Sequence, residues 1–237
     1  MRRALSRLRR LFAPEAPPPA PLFGMNTALE GLAARGFSPR IVFDIGASNG
    51  AWTELAAPLW PEAHFHCFEP LEQRRAAMEE MKQRYRGRIT HHALGVGDAD
   101  GELSLGVTED LWASSFAYKG ASTQTAPVRT LDSLLQEGAI APPQLVKIDV
   151  QGFEQRVIKG GRRTLEACDF ILMECAFYPF CADMQRLDES IAFMADAGFA
   201  PYEFVDFLRR PADGAMGQCD ILFIRREHAW MKDTRWA

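Results

Sequence analysis

The sequence contains no apolar run approaching the roughly 20 residues needed to cross a bilayer, and no early apolar stretch leading to a small-residue cleavage site. Transmembrane and secreted readings are therefore disfavoured, and a cytoplasmic protein is expected. There is no CxxC pair either. The five cysteines, Cys67, Cys168, Cys175, Cys181 and Cys219, are scattered and odd in number, which fits a reducing compartment better than a disulfide framework. No internal repeat is visible. What is present is ordinary for a globular chain: 237 residues, 47% hydrophobic, 11% aromatic and 24% charged. A chain of this length buries roughly 70% of the surface its unfolded form exposes, so one large domain can form without disulfides or a structural metal.

Acid is missing from the front. Arg2, Arg3, Arg7, Arg9 and Arg10 precede the first acidic residue, Glu15. Removing those five from the 27 basic residues leaves 22 against 31 acidic, so a net charge of −4 hides a body at −9. An acidic body argues against nucleic acid as a partner, because phosphate contacts need clustered Lys and Arg on the folded surface. The front segment places Leu5, Leu8, Leu11 and Phe12 at helical spacing among its arginines and then runs into APEAPPPAP, where prolines forbid a continuing helix. Two readings stand: a solvated tail, or a basic amphipathic element docking on a partner protein or at the inner membrane surface. The expected organisation is a tail and linker over 1–24, a domain over 25–226 and a C-terminal tail over 227–237.

Within the domain, apolar runs alternate with segments of helical period. Expected strands are Arg40–Ile45, Ala63–Phe68, Arg88–His92, Leu145–Val150, Phe170–Cys175, Tyr202–Leu208 and Cys219–Arg225. Expected helices lie near Trp52–Ala57, Leu71–Tyr85, Leu131–Glu137, Phe153–Glu166 and Asp183–Ala197. Alternation of this kind implies a doubly wound α/β domain with a mostly parallel sheet. The last two strands are separated by RRPADGAMGQ, rich in turn formers, and so predict an antiparallel hairpin at the sheet edge. Asp100-Gly101 suggests one more turn and a short extra strand.

Three segments carry chemistry. IVFDIGASNG ends a buried strand in Asp44 and turns through Gly46, Ala47, Ser48 and Gly50 into a helix, the place where open α/β sheets bind ligands. A dinucleotide fingerprint would need glycine at position 48, and a P-loop would close on Gly-Lys-Ser/Thr; neither is present. Asp44 would repel a pyrophosphate but attract the ammonium of an amino-acid-bearing ligand. The second segment, HFHCFEP, ends in Glu69, a carboxylate placed to accept from both hydroxyls of a ribose. In the third, LVKIDVQGFEQRVIKGG, Lys147 and Asp149 share a strand face and Asp149 closes the strand.

These segments, with ALGVGDADG and RTLDSLL between them in the same order and spacing, resemble the FkbM family of S-adenosylmethionine-dependent methyltransferases. The resemblance spans about residues 41–225. It implies a class I methyltransferase fold, a Rossmann-like seven-stranded sheet with a reversed terminal hairpin, and O-methylation of a sugar, glycan or secondary-metabolite hydroxyl. On the family's motif Asp44, Gly46, Ala47, Ser48 and Gly50 line the methionine part of the cofactor, Glu69 with Pro70 the ribose, and His92, Ala93 and Leu94 the adenine side, while Asp149 stands by the methyl group. Gln151 departs from the glutamate common in relatives, which argues against a required base or metal ligand there. Candidate bases for a hydroxyl acceptor are Asp149 first, then Glu174 and either His91 or His92, at most one of which faces the cofactor. His64 and His66 share a strand face without a third ligand, so no metal is expected. The loop EDLWASSFAYKG, with Trp112, Phe116 and Tyr118, reads as a lid or substrate wall, and Tyr178, Phe180 and Cys181 follow the fifth strand on the acceptor side. A nicotinamide-dependent oxidoreductase and an inactive nucleoside-binding scaffold are the alternatives.

Overall fold

A computed structural model describes residues 24–179, 181 and 184–235. The basic front segment, Phe180 and the expected helix start at Asp183 lie outside the described residues. The elements in order are α1 (Met25–Ala34), β1 (Ile41–Ile45), α2 (Ala51–Ala56), β2 (His64–Phe68), α3 (Arg75–Arg84), β3 (Ile89–His92), β4 (Gly95–Val96), β5 (Gly101–Val107), β6 (Ser122–Arg129), α4 (Leu131–Gln136), β7 (Leu145–Ile148), α5 (Glu154–Lys159), β8 (Phe170–Ala176), α6 (Leu187–Asp196), β9 (Phe199–Arg209), β10 (Met216–Arg225) and α7 (Ala229–Lys232).

Seven strands form one sheet in the order β3-β2-β1-β7-β8-β10-β9. The first five run parallel, and β10 is antiparallel to both β8 and β9, the expected reversed hairpin. β1, β2, β7 and β8 are buried on both faces, which is why they read as continuous apolar runs rather than as alternation. One face packs Val42, Phe65, Leu145 and Leu172 against α1, α2 and α3 through Leu29, Leu32, Trp52, Met78 and Met81. The other packs Phe43, Ile45, Val146 and Ile171 against α4, α5 and α6 through Leu131, Leu134, Val157, Ile158 and Met194.

Several boundaries differ from the sequence reading for local reasons. The helix expected over Phe153–Glu166 is split: α5 ends at Lys159, Gly160 packs so close to Gly97 that a Cβ would lie 1.9 Å from its carbonyl oxygen, and a 3-10 turn, Thr164–Ala167, follows. The helix expected from Leu71 begins as a 3-10 turn at Glu72–Arg74. α1 was not anticipated. Nor was β6, a polar strand in which only Ala126 and Val128 are buried; it pairs with β4 and β5 in a three-stranded sheet that extends the turn expected at Asp100-Gly101. Residues after 226 include α7, whose Trp230 packs against Phe170 and under the Arg35 guanidinium. No helix among the described residues is long and apolar enough to cross a membrane.

Candidate functional site

The carboxyl ends of β1, β2, β7 and β8 open into one cavity of ≈ 330 Å³, a size suited to a small organic ligand. After β1 the chain turns back at once. The Gly46 and Ala47 amides donate to the Phe68 carbonyl at 3.0 and 3.1 Å, which ties the glycine turn to the end of β2. Gly46 has φ +77, and a Cβ there would sit 1.9 Å from the carbonyl oxygen of Asp149, so only glycine fits. Ser48 also adopts positive φ, 49°, and its hydroxyl is buried without a hydrogen-bond partner at the cavity wall.

Glu69 is held where the sequence placed it. Its two carboxylate oxygens accept from the Ser48 amide at 2.7 Å and the Leu71 amide at 2.8 Å, and it lines the cavity beside Pro70. Burial pushes its pKa up, while those two amides and the charges of Lys147 and Arg74 pull it back. Ala47 and Ser48 line the cavity too. Above it stand Leu105 of β5 and the loop residues Leu111, Trp112, Ser115 and Phe116, with the Arg74 guanidinium 5.0 Å over the exposed Trp112 ring.

Four residues expected at the cofactor do not line this cavity. Asp44 does not line the cavity. It is fully buried one residue too early in β1, accepting from the Thr53 hydroxyl at 2.7 Å and pairing with Lys147 at 3.4 Å, so its charge is spent inside the protein. Gly50 also lies off the wall, its φ of +85 letting the turn pack against Met81 of α3. Ala93 and Leu94 are displaced by a tight turn in which the Leu94 amide returns to the His92 carbonyl, 2.8 Å away. Ala93 then faces solvent and Leu94 the core, and Gly95 and Val96 line the cavity instead.

His92 likewise does not line the cavity. Its ring stacks on Phe68 at 4.6 Å and its Nε2 lies 2.9 Å from Nδ1 of His66, and His64 contacts His66 on the same face. Among the described residues no three or more His, Cys, Asp or Glu are grouped to hold a metal ion. Burial first, then the neighbouring His92 and His64, lowers His66 to about 3; burial, then His91 and His64, lowers His92 to about 4. In the unfolded chain these rings protonate near 6.5, so the unfolded state binds more protons between about 3 and 6.5. Stability is complete above that window and falls as the pH drops through it. His66→Phe is expected to remove about 2 kcal/mol of the loss between pH 7.5 and pH 5; urea unfolding at both pH values checks this, and equal losses in the two proteins would refute it.

The inner end of the cavity is acidic. Asp149 pairs through Oδ2 with the Lys147 ammonium at 3.4 Å and accepts through Oδ1 from the Gln151 amide at 2.8 Å. The same amide donates to Glu174 at 3.2 Å, so one carboxamide bridges two carboxylates. Gln151 has φ +55, a strained conformation that aims its side chain into this gap. Asp220 of β10 stands opposite Glu174 of β8 in the antiparallel ladder and also lines the cavity. Burial, then Asp149, Glu154 and Asp220, holds Glu174 well above the ordinary carboxylate range, and burial with Asp149 pushes Asp220 up to about 7. Glu154 is not a wall residue. It caps the start of α5, accepting from the Val150 and Gly152 amides, and burial pushes it up to about 7.

The reading from sequence therefore found Gly46, Ala47, Ser48, Glu69, Pro70, Asp149 and Glu174 at the cavity, and missed Asp220. A single charge inside the apolar run CDILFI was its signal. Lys147, noted only as a strand neighbour of Asp149, proves to be the cation of the site; its Nζ also donates to the Gly46 carbonyl at 2.9 Å.

A family model described as the methyltransferase FkbM domain matches residues 44–201. Two curated relatives are similar. The hexuronic acid methyltransferase AglP of Haloferax volcanii is 24% identical over 136 residues, covering 56% of this chain and 55% of its own length. The 2-O-methyltransferase NoeI of Sinorhizobium fredii is 26% identical over 152 residues, covering 56% and 62%. The chain thus spans less than two thirds of either relative. Among solved structures, the N-methyltransferase NodS of Bradyrhizobium japonicum superposes with a TM-score of 0.50 at 13% identity over 84% of this chain and 93% of that one, which supports the class I fold. With the family model matching well over half of its length, and with the glycine turn, Glu69 and Asp149 gathered on one cavity, the chain belongs to the FkbM family of S-adenosylmethionine-dependent methyltransferases.

Proposed function

We propose that this protein transfers the methyl group of S-adenosylmethionine to a hydroxyl of a saccharide acceptor. The observation that carries the reading is the union, in one cavity, of the glycine turn and Glu69 with an acidic inner end formed by Asp149, Glu174 and Asp220. The cavity suits a cationic nucleoside better than a phosphate-bearing one: Lys147, the only lining ammonium among the described residues, is already engaged by Gly46, Asp44 and Asp149. The orphaned Ser48 hydroxyl is free to bond the ligand, and the carboxylate of Glu69 retains lone pairs for ribose hydroxyls. When bound there, S-adenosylmethionine supplies an electrophilic methyl on a positively charged sulfur. Of the two relatives' names, the one for hexuronic acid supports a saccharide acceptor and the one for 2-O-methylation supports transfer to oxygen.

The protein's own work is alignment and proton removal. Holding the acceptor oxygen in line with the methyl is worth roughly 7–11 kcal/mol. For the proton, Asp149 is the less available group, since Lys147 and Gln151 occupy both of its oxygens, whereas Glu174 gives only one to Gln151. Glu174 is the base in this reading, and a bound cofactor's positive charge would moderate its high proton affinity. Asp149 instead fixes Gln151 and adds negative charge to the wall that would receive the cationic cofactor.

Calorimetry with S-adenosylmethionine, its demethylated product and NAD tests the cofactor, and binding of NAD alone would overturn the reading. Radiolabelled methyl transfer to fractionated glycans then identifies the acceptor. In that assay Glu174→Gln is expected to lose about 10²–10⁴ in kcat with cofactor affinity retained, the size of a lost general base. Because the base must be deprotonated, the native rate should fall on the acid side of Glu174's titration. Full turnover by Glu174→Gln would assign the proton to another group.

A further inference from the structure

We propose that a second cavity beside the methyl-transfer site binds a carboxylate of the acceptor, so that the substrate is a uronic-acid-type saccharide methylated within about one ring of its acid group. The assignment rests on the methyltransferase reading above and adds to it where, and by which residues, the acceptor is held.

This second cavity, ≈ 360 Å³, lies between Tyr118, Met184 and the turn of the β9–β10 hairpin, and Arg209, Arg210 and Gln218 line it. It meets the first cavity at Gln151, which lines both. Strand β10 joins them as well. Asp220 lines the first cavity and Gln218 the second, and side chains two residues apart share a strand face about 7 Å apart. A hydroxyl delivered to Glu174 thus leaves the next part of the acceptor against the hairpin.

Charge decides what that part is. Asp149, Glu174 and Asp220 crowd the inner end of the first cavity, and Lys147 is committed to its existing partners, so an anionic substituent is repelled there. At the hairpin the sign reverses. The Arg210 guanidinium lies 4.4 Å over the Tyr178 ring, which orients its plane, and only its Nε meets Asp213, at 3.3 Å. Asp213 is half exposed in that pair, and a solvent-exposed ion pair contributes little, so an incoming carboxylate competes with it readily. Arg209 uses one terminal nitrogen on the Gly214 carbonyl, at 2.9 Å. Each guanidinium keeps N–H groups beyond these contacts, and the planar N–H fork of an arginine matches a carboxylate. A phosphate dianion fits less well, because its second charge adds repulsion from the acidic end of the adjoining cavity. Tyr118 and the apolar Leu208 and Pro211 supply the surface on which a sugar ring lies.

The test measures binding to the full chain saturated with S-adenosylhomocysteine. The probes are methyl glycosides of glucuronic and galacturonic acid, the matching neutral glucosides and galactosides, and glucose 6-phosphate. At least one uronate is expected to bind ten-fold or more tightly than its neutral counterpart and than the phosphate. In Arg209→Gln/Arg210→Gln that preference disappears while S-adenosylhomocysteine affinity is unchanged. If the double variant fails to fold, Arg210→Gln alone gives the same readout, and Arg210→Lys recovers only part of the preference because it lacks the fork. Equal binding of uronates and neutral sugars, tighter binding of the phosphate, or a preference that survives the arginine substitutions would overturn the subsite. Failure of the native protein to bind S-adenosylhomocysteine would instead sink the methyltransferase reading beneath it.

Discussion

Gly46→Ala is expected to raise the Kd for S-adenosylmethionine by at least about 100-fold, some 2.7 kcal/mol, and to lower the melting temperature. Gly46 occupies left-handed space, φ +77, which costs an L-residue about 1–2 kcal/mol. That alone is a stability effect. The larger consequence is steric: the new Cβ would meet the Asp149 carbonyl oxygen at 1.9 Å, so either the glycine turn or the end of β7 must move. Both are walls of the cavity, and Asp149 moves with its backbone. Gly36→Ala is the matched control, since Gly36 has φ +86 with nothing within 4 Å of its added Cβ; it should lose stability and leave the Kd alone. Calorimetric titration of both variants decides the point, and an unchanged Kd in Gly46→Ala would show that the turn does not carry the cofactor.

Lys147→Met is expected to destabilise the fold by about 3–5 kcal/mol, the range for removing one partner of a buried ion pair. Lys147 is 8% exposed and Asp44 is 0% exposed, so the loss leaves a carboxylate in the core with the Thr53 hydroxyl as its remaining hydrogen-bond donor. Burial pulls the ammonium's pKa down, but the charges of Asp149 and Asp44 outweigh it and hold the group above its ordinary value. A folded value above the unfolded one means that this contribution is present in full below about pH 10 and fades only as the pH rises through the folded value. The deficit of Lys147→Met should therefore be flat across neutral pH in urea unfolding. Adding Asp44→Asn should restore much of it. A double variant as unstable as the single one would show that the pair is not the source.

The contrast between Asp44 and Glu69 shows how far the residues could be read without the fold. Both close a buried strand before a turn, and both were assigned to the cofactor. Glu69 reaches the cavity because the Ser48 and Leu71 amides draw its carboxylate toward the turn. Asp44 does not, because Lys147, 103 positions later in the chain, lies across the β1–β7 pair and claims it. The segment expected on the adenine side departs for a local reason instead: the turn at His92 and Leu94 brings Gly95 and Val96, rather than Ala93 and Leu94, to the cavity wall. β6 escaped notice because a strand covered on one face over only two residues has almost no apolar signature.

By itself the sequence determined the seven strands of the main sheet, the helices between most of them, the reversed hairpin, the glycine turn and the carboxylates at the ends of β2, β7 and β8. Those features depend on patterns within a few residues: strand burial, helical period and turn chemistry. The tertiary structure alone decided which charges pair off and which face the ligand. Lys147 is matched to Asp44, Gln151 is set between Asp149 and Glu174, Asp220 is brought opposite Glu174, and the hairpin arginines are carried to a cavity that shares a wall with the site. The physical reason is that an ion pair or a shared cavity wall depends on distances across strands far apart in the chain, and pairing register, not sequence spacing, sets those distances.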